Sequence, residues 1–497
     1  MILAQLLKNL PYLKIYGNSD IEIENVSCDS NDISGKALFC CIKGLKTDGH
    51  NFIRQAINNG AVAVCVSKDH IVEKTEGVTF ITVTDTKKAF ALICDSFYSH
   101  PADNMKIIGV TGTNGKTTTV FMIEYLLNSL EKPTGLMGTL YTKIGDEKIK
   151  SSVTTPDAKT LSKNLADMLS NGMEAAVFEV SSHSLALDRV YACNFDRAVF
   201  TNLTQDHLDF HKDFDEYFQA KMKLFESLSP DIKESKAIIN TDDQWSGKII
   251  SKLRVPFISY GIKHETDFKA NDFTVKPDGI EYDLIHKEKI YKVTLSVSGF
   301  FNIYNSLAAI TTVYSLGFKL EKIIEKIKDF SGVKGRFEII NCGQDFSVIV
   351  DYAHTPDGLI NVLNTARNLT KDRLISVFGC GGDRDKTKRP IMGKIASEYS
   401  DMTIITSDNP RTEDPSKIID DILNGILKNK DYKIEPDRKN AIEYALNTAK
   451  KGDIVVIAGK GHEDYQILKD KTIHFDDSEI VREYFSRGGC QPPAGDS

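Results

Sequence analysis

A glycine-rich turn set between a buried-strand pattern and a helical one constrains this chain more than any other feature. Met105-Lys106-Ile107-Ile108 reads as the end of a strand, and residues 109–119 run Gly-Val-Thr-Gly-Thr-Asn-Gly-Lys-Thr-Thr-Thr. Residues 120–130 then carry apolar side chains at helical spacing. The turn therefore opens a helix N-terminus, where unpaired backbone N–H groups favour an anion. Gly112 and Gly115 let the backbone approach phosphate oxygens, Lys116 has the reach for a β- or γ-phosphate, and the Thr117 hydroxyl suits magnesium. The general phosphate-loop spacing asks for glycine at position 110 and finds Val110, with Gly109 and Gly112 on either side. Strand, loop, Lys-Thr pair and helix agree on a nucleoside triphosphate, and an ordinary glycine-rich turn is the alternative.

A chain of 497 residues exceeds what one core can organise, so two to four domains are expected. Charged residues at 26% and hydrophobic ones at 41% describe a globular protein, and the net charge of -7 opposes nucleic acid as a partner. Nine cysteines without a CxxC pair argue against a zinc site and against a secreted disulfide framework. Residues 1–10 read as a short amphipathic helix without the apolar core or cleavage site of an export signal. No apolar run approaches the roughly 20 residues of a membrane helix. A cytoplasmic protein with no membrane insertion is the expectation.

The first hundred residues carry short strand-like runs at 21–23, 37–42 and 61–66, which read as a small α/β domain. Continuous apolar runs at 175–180 and 197–200 look like strands of a buried parallel sheet, so reactive residues belong just past their ends. Residues 269–297 alternate around Pro277-Asp278-Gly279, an antiparallel excursion before a helix near Asn302. Beyond Gly335 a third α/β pattern places strands at 347–350, 374–378, 402–406 and 454–458. The Gly/Pro tail 488–497 is expected to be disordered.

Glu179 closes a strand of apolar and small residues, where a carboxylate is costly unless it meets a cation such as magnesium or is satisfied by local N–H groups. The next strand delivers Thr201-Asn202-Leu203-Thr204-Gln205-Asp206-His207-Leu208-Asp209, in which His207 is a candidate metal ligand or a structural histidine. Lys221, in Phe218-Gln219-Ala220-Lys221-Met222, reads from sequence as a solvated lysine.

These motifs, together with Gly299-Phe300-Phe301-Asn302-Ile303-Tyr304-Asn305, stand in the order seen in the Mur ligases of peptidoglycan synthesis, and the chain resembles that family. Asp351-Tyr352-Ala353-His354-Thr355-Pro356-Asp357, Gly379-Cys380-Gly381-Gly382-Asp383-Arg384, Asp408-Asn409-Pro410-Arg411 and Gly459-Lys460-Gly461-His462-Glu463 are most similar to members that add the third stem-peptide residue. The resemblance runs from Asp29-Ser30 to Asp476-Asp477. It implies an α/β protein of three domains: a UDP-binding one over 1–102, a phosphate-loop ATPase-like parallel sheet over 103–333, and a Rossmann-like amino-acid domain over 334–497. The activity implied is ATP-dependent addition of meso-diaminopimelate to UDP-MurNAc-L-Ala-D-Glu through an acyl phosphate, by a monomer.

The resemblance further implies two magnesium ions with Thr117, Glu179, His207 and Lys221 as the metal set, and Lys221 carbamylated to N6-carboxylysine. Gly112, Thr113, Asn114, Gly115, Lys116, Thr117, Thr118, Asn302, Asn305, Arg336 and Asp351 would hold ATP, the last two after domain closure. Ser30, Thr154, Thr155, Ser181 and Arg189 would hold the UDP-dipeptide, although Asn31, Val153 and Leu187 depart from the residues usual beside them. Arg384, Asp408, Asn409, Pro410, Arg411, Gly459 and Glu463 would hold diaminopimelate. Rejecting lysine requires a group left unpaired when the second carboxylate is missing, and a guanidinium meets that need. Arg411 in a surface salt bridge is the bland alternative. The rival functions are a lysine-adding ligase, a folylpolyglutamate synthase, and a catalytically silent nucleotide-dependent regulatory protein. Intact Lys116, Glu179, His207 and Lys221 oppose the last.

Overall fold

The computed structural model describes residues 1–44, 47–71, 73, 75–207 and 210–488. Leu208 and Asp209 of the histidine loop, and all of the tail beyond Gly488, lie outside the described residues.

Three large sheets follow one another along the chain, and a two-stranded ribbon, Tyr465–Ile467 with Thr472–His474, accompanies the third. The first has five strands in the order Tyr12–Tyr16, Thr79–Val83, Ala61–Ser67, Ala37–Cys40, Asn25–Ser27, all parallel except Tyr12–Tyr16. The strand expected at 21–23 is not one. Its backbone serves the N-terminal turn instead, with Ile23 N donating to Met1 O and Leu3 N to Ile21 O, and the sheet resumes at Asn25–Ser27. The N-terminal helix is likewise shorter than expected, Leu3–Leu6.

The central sheet has eleven strands. At its centre Lys106–Thr111 lies parallel between Ala175–Glu179 and Arg197–Phe200. Alternate side chains along these strands enter opposite cores. Ile108, Val110 and Val177 pack on helices Lys116–Ser129 and Phe301–Ser315, while Ile107, Phe178 and Phe200 face helices Ala158–Ser170 and Phe214–Glu226. That two-sided burial is why the strands read as unbroken apolar runs. The expected antiparallel excursion is present as Phe268–Lys276, Gly279–His286 and Lys289–Leu295 at one edge.

The third sheet is ordered Glu338–Ile340, Ser347–Asp351, Ile454–Ala458, Leu374–Phe378, Met402–Ile405, Asp431–Ile434, with only the first strand antiparallel. The expected α/β class with three sheet-centred units is therefore observed. The described cysteines are all free, and no described helix is long and apolar enough to cross a membrane.

Candidate active site

The turn after Lys106–Thr111 is shaped by two glycines. Gly112 has φ +149°, and a Cβ there would lie 1.9 Å from Thr201 Oγ1. Gly115 has φ +83°, and a Cβ would lie 2.4 Å from Asn305 Oδ1. Val110, where the general spacing wants glycine, is a buried strand residue and needs no special backbone. The loop after Arg197–Phe200 holds the turn: Asn114 N donates to Asn202 Oδ1 at 2.9 Å, and Thr201 Oγ1 donates to Asn114 O at 2.7 Å. Asn302 and Asn305 lie one turn apart and bond each other, Asn305 Nδ2 to Asn302 Oδ1 at 2.9 Å, while Thr119 Oγ1 contacts Asn305 Oδ1 at 3.5 Å. Thr113 Oγ1 lies 3.0 Å from Tyr217 Oη, and Thr118 is buried in the first helical turn.

Lys116 folds over the turn, its Nζ donating to Gly112 O at 3.0 Å and to Thr113 O at 2.8 Å. Burial lowers its pKa, against the pull of Glu179 and Asp206. Glu179 is 1% exposed, accepting from Thr117 Oγ1 at 2.9 Å on one oxygen and from Thr139 N at 2.7 Å on the other. His207 has φ +56°, and its Nε2 lies 3.4 Å from Asp206 Oδ2. Burial pushes its pKa down to about 3, so the ring is neutral near pH 7.

Lys221 is 2% exposed, not the solvated lysine its sequence context suggested. It follows Tyr217 by four residues and so shares its helix face, which packs against the phosphate loop. Its Nζ donates to Gly112 O at 2.7 Å and lies 4.6 Å from the Tyr217 ring centroid. Burial, and then the charge of Lys116, lower its pKa well below the ordinary lysine value.

The third sheet reaches this loop directly. Arg336 Nη2 donates to Thr117 Oγ1 at 3.3 Å, its guanidinium lies 4.4 Å from the Tyr352 ring centroid, and its buried Nε has no hydrogen-bond partner among the described residues. Asp351 accepts from Phe337 N and Ala353 N, both at 2.7 Å, and so holds the backbone around Arg336. Asp357, which the sequence reading gave no role, accepts from Asn114 Nδ2 at 2.5 Å and Thr204 Oγ1 at 3.2 Å across the same joint.

A cavity of about 1350 Å³ opens between the central and third sheets. Thr154, Thr155, Ser181, Arg189, Asp206 and His207 line it from the central side, and Arg384, Asp408, Asn409, Arg411, Gly459 and Glu463 from the other. Thr155 Oγ1 donates to Glu179 O at 2.8 Å, and Arg189 Nη1 donates to Thr155 O at 3.1 Å, so these residues are tied to the magnesium candidate. Arg411 has φ +52° and sends Nη1 to Gly382 O at 2.8 Å, a backbone contact rather than the surface salt bridge that was the alternative. A Cβ on Gly459, at φ +119°, would lie 2.7 Å from Asp408 Oδ2. Burial, then the Asp408 charge, raises the Glu463 pKa. Pro410 and Ser30 are buried outside the cavity lining, the Ser30 carbonyl accepting from Asn59 Nδ2 at 2.8 Å.

Three family models cover most of the chain: the Mur ligase family catalytic domain over 22–98, the Mur ligase middle domain over 110–313, and the Mur ligase glutamate ligase domain over 335–461. Proteins from Clostridium tetani and Clostridium botulinum named UDP-N-acetylmuramoyl-L-alanyl-D-glutamate--2,6-diaminopimelate ligase are 46% and 47% identical, over 97% of this chain and 99% of each relative.

The chain belongs to the Mur ligase family.

A solved structure of a ligase of that same name superposes with TM-score 0.71 at 32% identity, covering 98% of this chain and 99% of the other. The Mur ligase fold extends to a MurF from Thermotoga maritima in complex with ADP, TM-score 0.62 at 18% identity, covering 87% of this chain and 93% of the other.

The donor chemistry at the Mur ligase turn fits magnesium. The Thr117 hydroxyl and Glu179 carboxylate are hard oxygens 2.9 Å apart, and neutral His207 is available nearby. Among the described residues no three His, Cys, Asp or Glu side chains form a self-contained metal cage. Magnesium needs none, since one or two protein ligands with phosphates and water commonly complete its shell.

Proposed function

We propose that this Mur ligase joins the γ-carboxylate of UDP-MurNAc-L-Ala-D-Glu to an amino group of meso-diaminopimelate at the expense of ATP, in the cytoplasm and as a monomer. One observation carries the reading: Thr155, Ser181, Asp206 and His207 of the central segment and Asp408, Asn409 and Arg411 of the third line a single cavity, so an activated carboxylate and an incoming amine share one space. The names of the relatives at 46% and 47% identity support the choice of substrates.

Segments 1–102, 103–333 and 334–497 would serve the UDP end, ATP and the amino acid respectively. Gly112 to Thr118 would cradle the triphosphate, with Asn302 and Asn305 beside the nucleotide base. Lys116 would leave the Gly112 and Thr113 carbonyls for the γ-phosphoryl group, whose charge it stabilises as it moves to the carboxylate. Magnesium, held by Thr117 and Glu179 with His207, would supply further charge stabilisation on the phosphates. Burial and the Lys116 charge favour the uncharged form of the Lys221 amine, the form that takes up carbon dioxide, which supports a carbamate at this position.

Arg336 would turn its guanidinium to the phosphates, with Asp351 bracing it. Ser30, Thr154, Thr155, Ser181 and Arg189 would hold the UDP-dipeptide. Arg411 and Arg384 would take the far carboxylate of diaminopimelate, with Asp408, Asn409 and Glu463 at its polar groups. Enclosure keeps water from the acyl phosphate until the amine attacks and phosphate departs.

Release of ADP by the purified protein tests this reading. It should require the UDP-dipeptide and diaminopimelate together, and lysine should substitute poorly. Equal or greater turnover with lysine would overturn the choice of amino acid, and no turnover with any amino acid would overturn the ligase reading.

A further inference from the structure

Lys460 has no part in the account so far, yet it is 0% exposed and sits directly behind the amino-acid side of the cavity. Its Nζ donates to Asn409 Oδ1 at 3.1 Å and to Glu463 Oε2 at 3.3 Å, and lies 4.0 Å from Asp408 Oδ1. Asn409 Nδ2 donates to that same Glu463 oxygen at 2.8 Å, closing a three-membered network. Ile467 N donates to Asn409 Oδ1 at 2.9 Å. With two donors on one end of the amide, its orientation is set. Asp408, Asn409 and Glu463 all line the cavity, so the lysine orders lining residues without reaching the cavity itself.

The charge balance points the same way. Two carboxylates, Asp408 and Glu463, share the one ammonium, because the neighbouring Arg438 is committed to Asp477 through bonds of 2.8 and 2.7 Å and to the Ala458 carbonyl. Among Lys460, Asp408 and Glu463 one negative charge is left over, beside the Arg384 and Arg411 guanidiniums of the same wall. A buried cation with no partner is expensive, so this lysine holds its acceptors tightly. Through Asn409 it also reaches the guanidinium, since Arg411 Nη1 contacts the Asn409 carbonyl at 3.4 Å.

We infer that Lys460 is a positioning residue of the amino-acid site: it fixes Asn409 and Glu463 toward the incoming substrate and cancels one of two carboxylate charges, leaving the pole suited to a single ammonium group. The inference rests on the amino-acid site proposed above. Lys460 does not touch the substrate, so its loss should be felt in binding of that substrate alone.

The test uses the full chain with Lys460→Met, which keeps an unbranched apolar stem but has neither charge nor donor, and Lys460→Gln, which keeps a donor but has no charge. Both are assayed with ATP and UDP-dipeptide saturating, and KM is then measured for each of the three substrates. Expected are cooperative melting, a KM for diaminopimelate raised about tenfold or more, and KM values for ATP and UDP-dipeptide within about twofold of wild type. A Lys460→Met, Asn409→Ala double variant should lose less than the sum of the two single variants, because the lysine acts in part through Asn409. An unchanged KM for diaminopimelate, equal losses for all three substrates, additive losses in the double variant, or failure of both single variants to fold would each overturn the inference. Wild-type protein that turns over no diaminopimelate would instead overturn the proposed function, and that result is read before any variant is made.

Discussion

Lys221 Nζ and Lys116 Nζ donate to the same acceptor, the Gly112 carbonyl, at 2.7 and 3.0 Å. Two ammonium groups on one carbonyl repel, and that repulsion adds to burial in lowering the Lys221 pKa. The folded-state value lies below the unfolded one, so the neutral amine is favoured by folding. Carbamate formation on Lys221 follows as an expectation, visible as a carbonyl signal after incubation with ¹³C-bicarbonate at mildly alkaline pH. Lys221→Ala should lose about two to three orders of magnitude in kcat and recover part of it with added short carboxylic acids. A bare amine in magnesium-bound protein prepared with bicarbonate would contradict the carbamate.

Lys116→Ala should reduce turnover by at least about two orders of magnitude while the melting temperature stays near that of wild type. The lysine bonds only its own loop in the described structure, so the fold does not depend on it. A well-folded variant with near-normal kcat would remove the phosphate-loop assignment.

Asp357 joins the third segment to Asn114 and Thr204 across the joint. Asp357→Ala should lower kcat/KM for ATP by about tenfold, the scale of one or two hydrogen bonds, and leave thermal stability little changed. Steady-state kinetics with ATP varied decide this, and an unchanged kcat/KM would show that the contact has no part in closing the site.

His462 contributes to the acid response of the same region, as His207 does. Burial, and next Arg336, push its pKa down to about 3, against about 6.5 for an unfolded histidine. Between those values the unfolded chain binds a proton that the folded one does not, so the stability contribution falls as pH drops from about 6.5 toward 3. His462→Gln should therefore flatten the decline of melting temperature between pH 7 and pH 5. A decline as steep as that of wild type would place the titration elsewhere.

Arg411→Ala should lower kcat/KM for diaminopimelate by about one to two orders of magnitude, since a charge-assisted contact is worth roughly 1.5 to 3 kcal/mol. Any weak activity with lysine should change far less. Equal losses for both amino acids would make Arg411 a general support of the site.

Much of this site was legible because its chemistry is local in sequence. Gly112 to Thr118 and Glu179 sit at strand ends, and apolar runs announce buried strands without any tertiary information. Lys221 was not legible in the same way, because its burial depends on which face of helix Phe214–Glu226 meets the phosphate loop. Only the resemblance to Mur ligases drew attention to it. Asp357 and Lys460 stood inside quoted motifs without a role, since their partners Asn114 and Asn409 are far away in sequence. Residues 21–23 misled because an alternating pattern shows that a segment is extended, not which neighbour it pairs with.

The central claim is that ATP activates the γ-carboxylate of the UDP-dipeptide for capture by diaminopimelate. It is tested most directly by following ¹⁸O from that carboxylate during turnover, with the products read by mass spectrometry. The expected result is one ¹⁸O atom in the released phosphate for each UDP-MurNAc-tripeptide formed, with the mass of the tripeptide showing addition of diaminopimelate. Unlabelled phosphate, or a product that gains lysine in preference when both amino acids are present, would contradict the account.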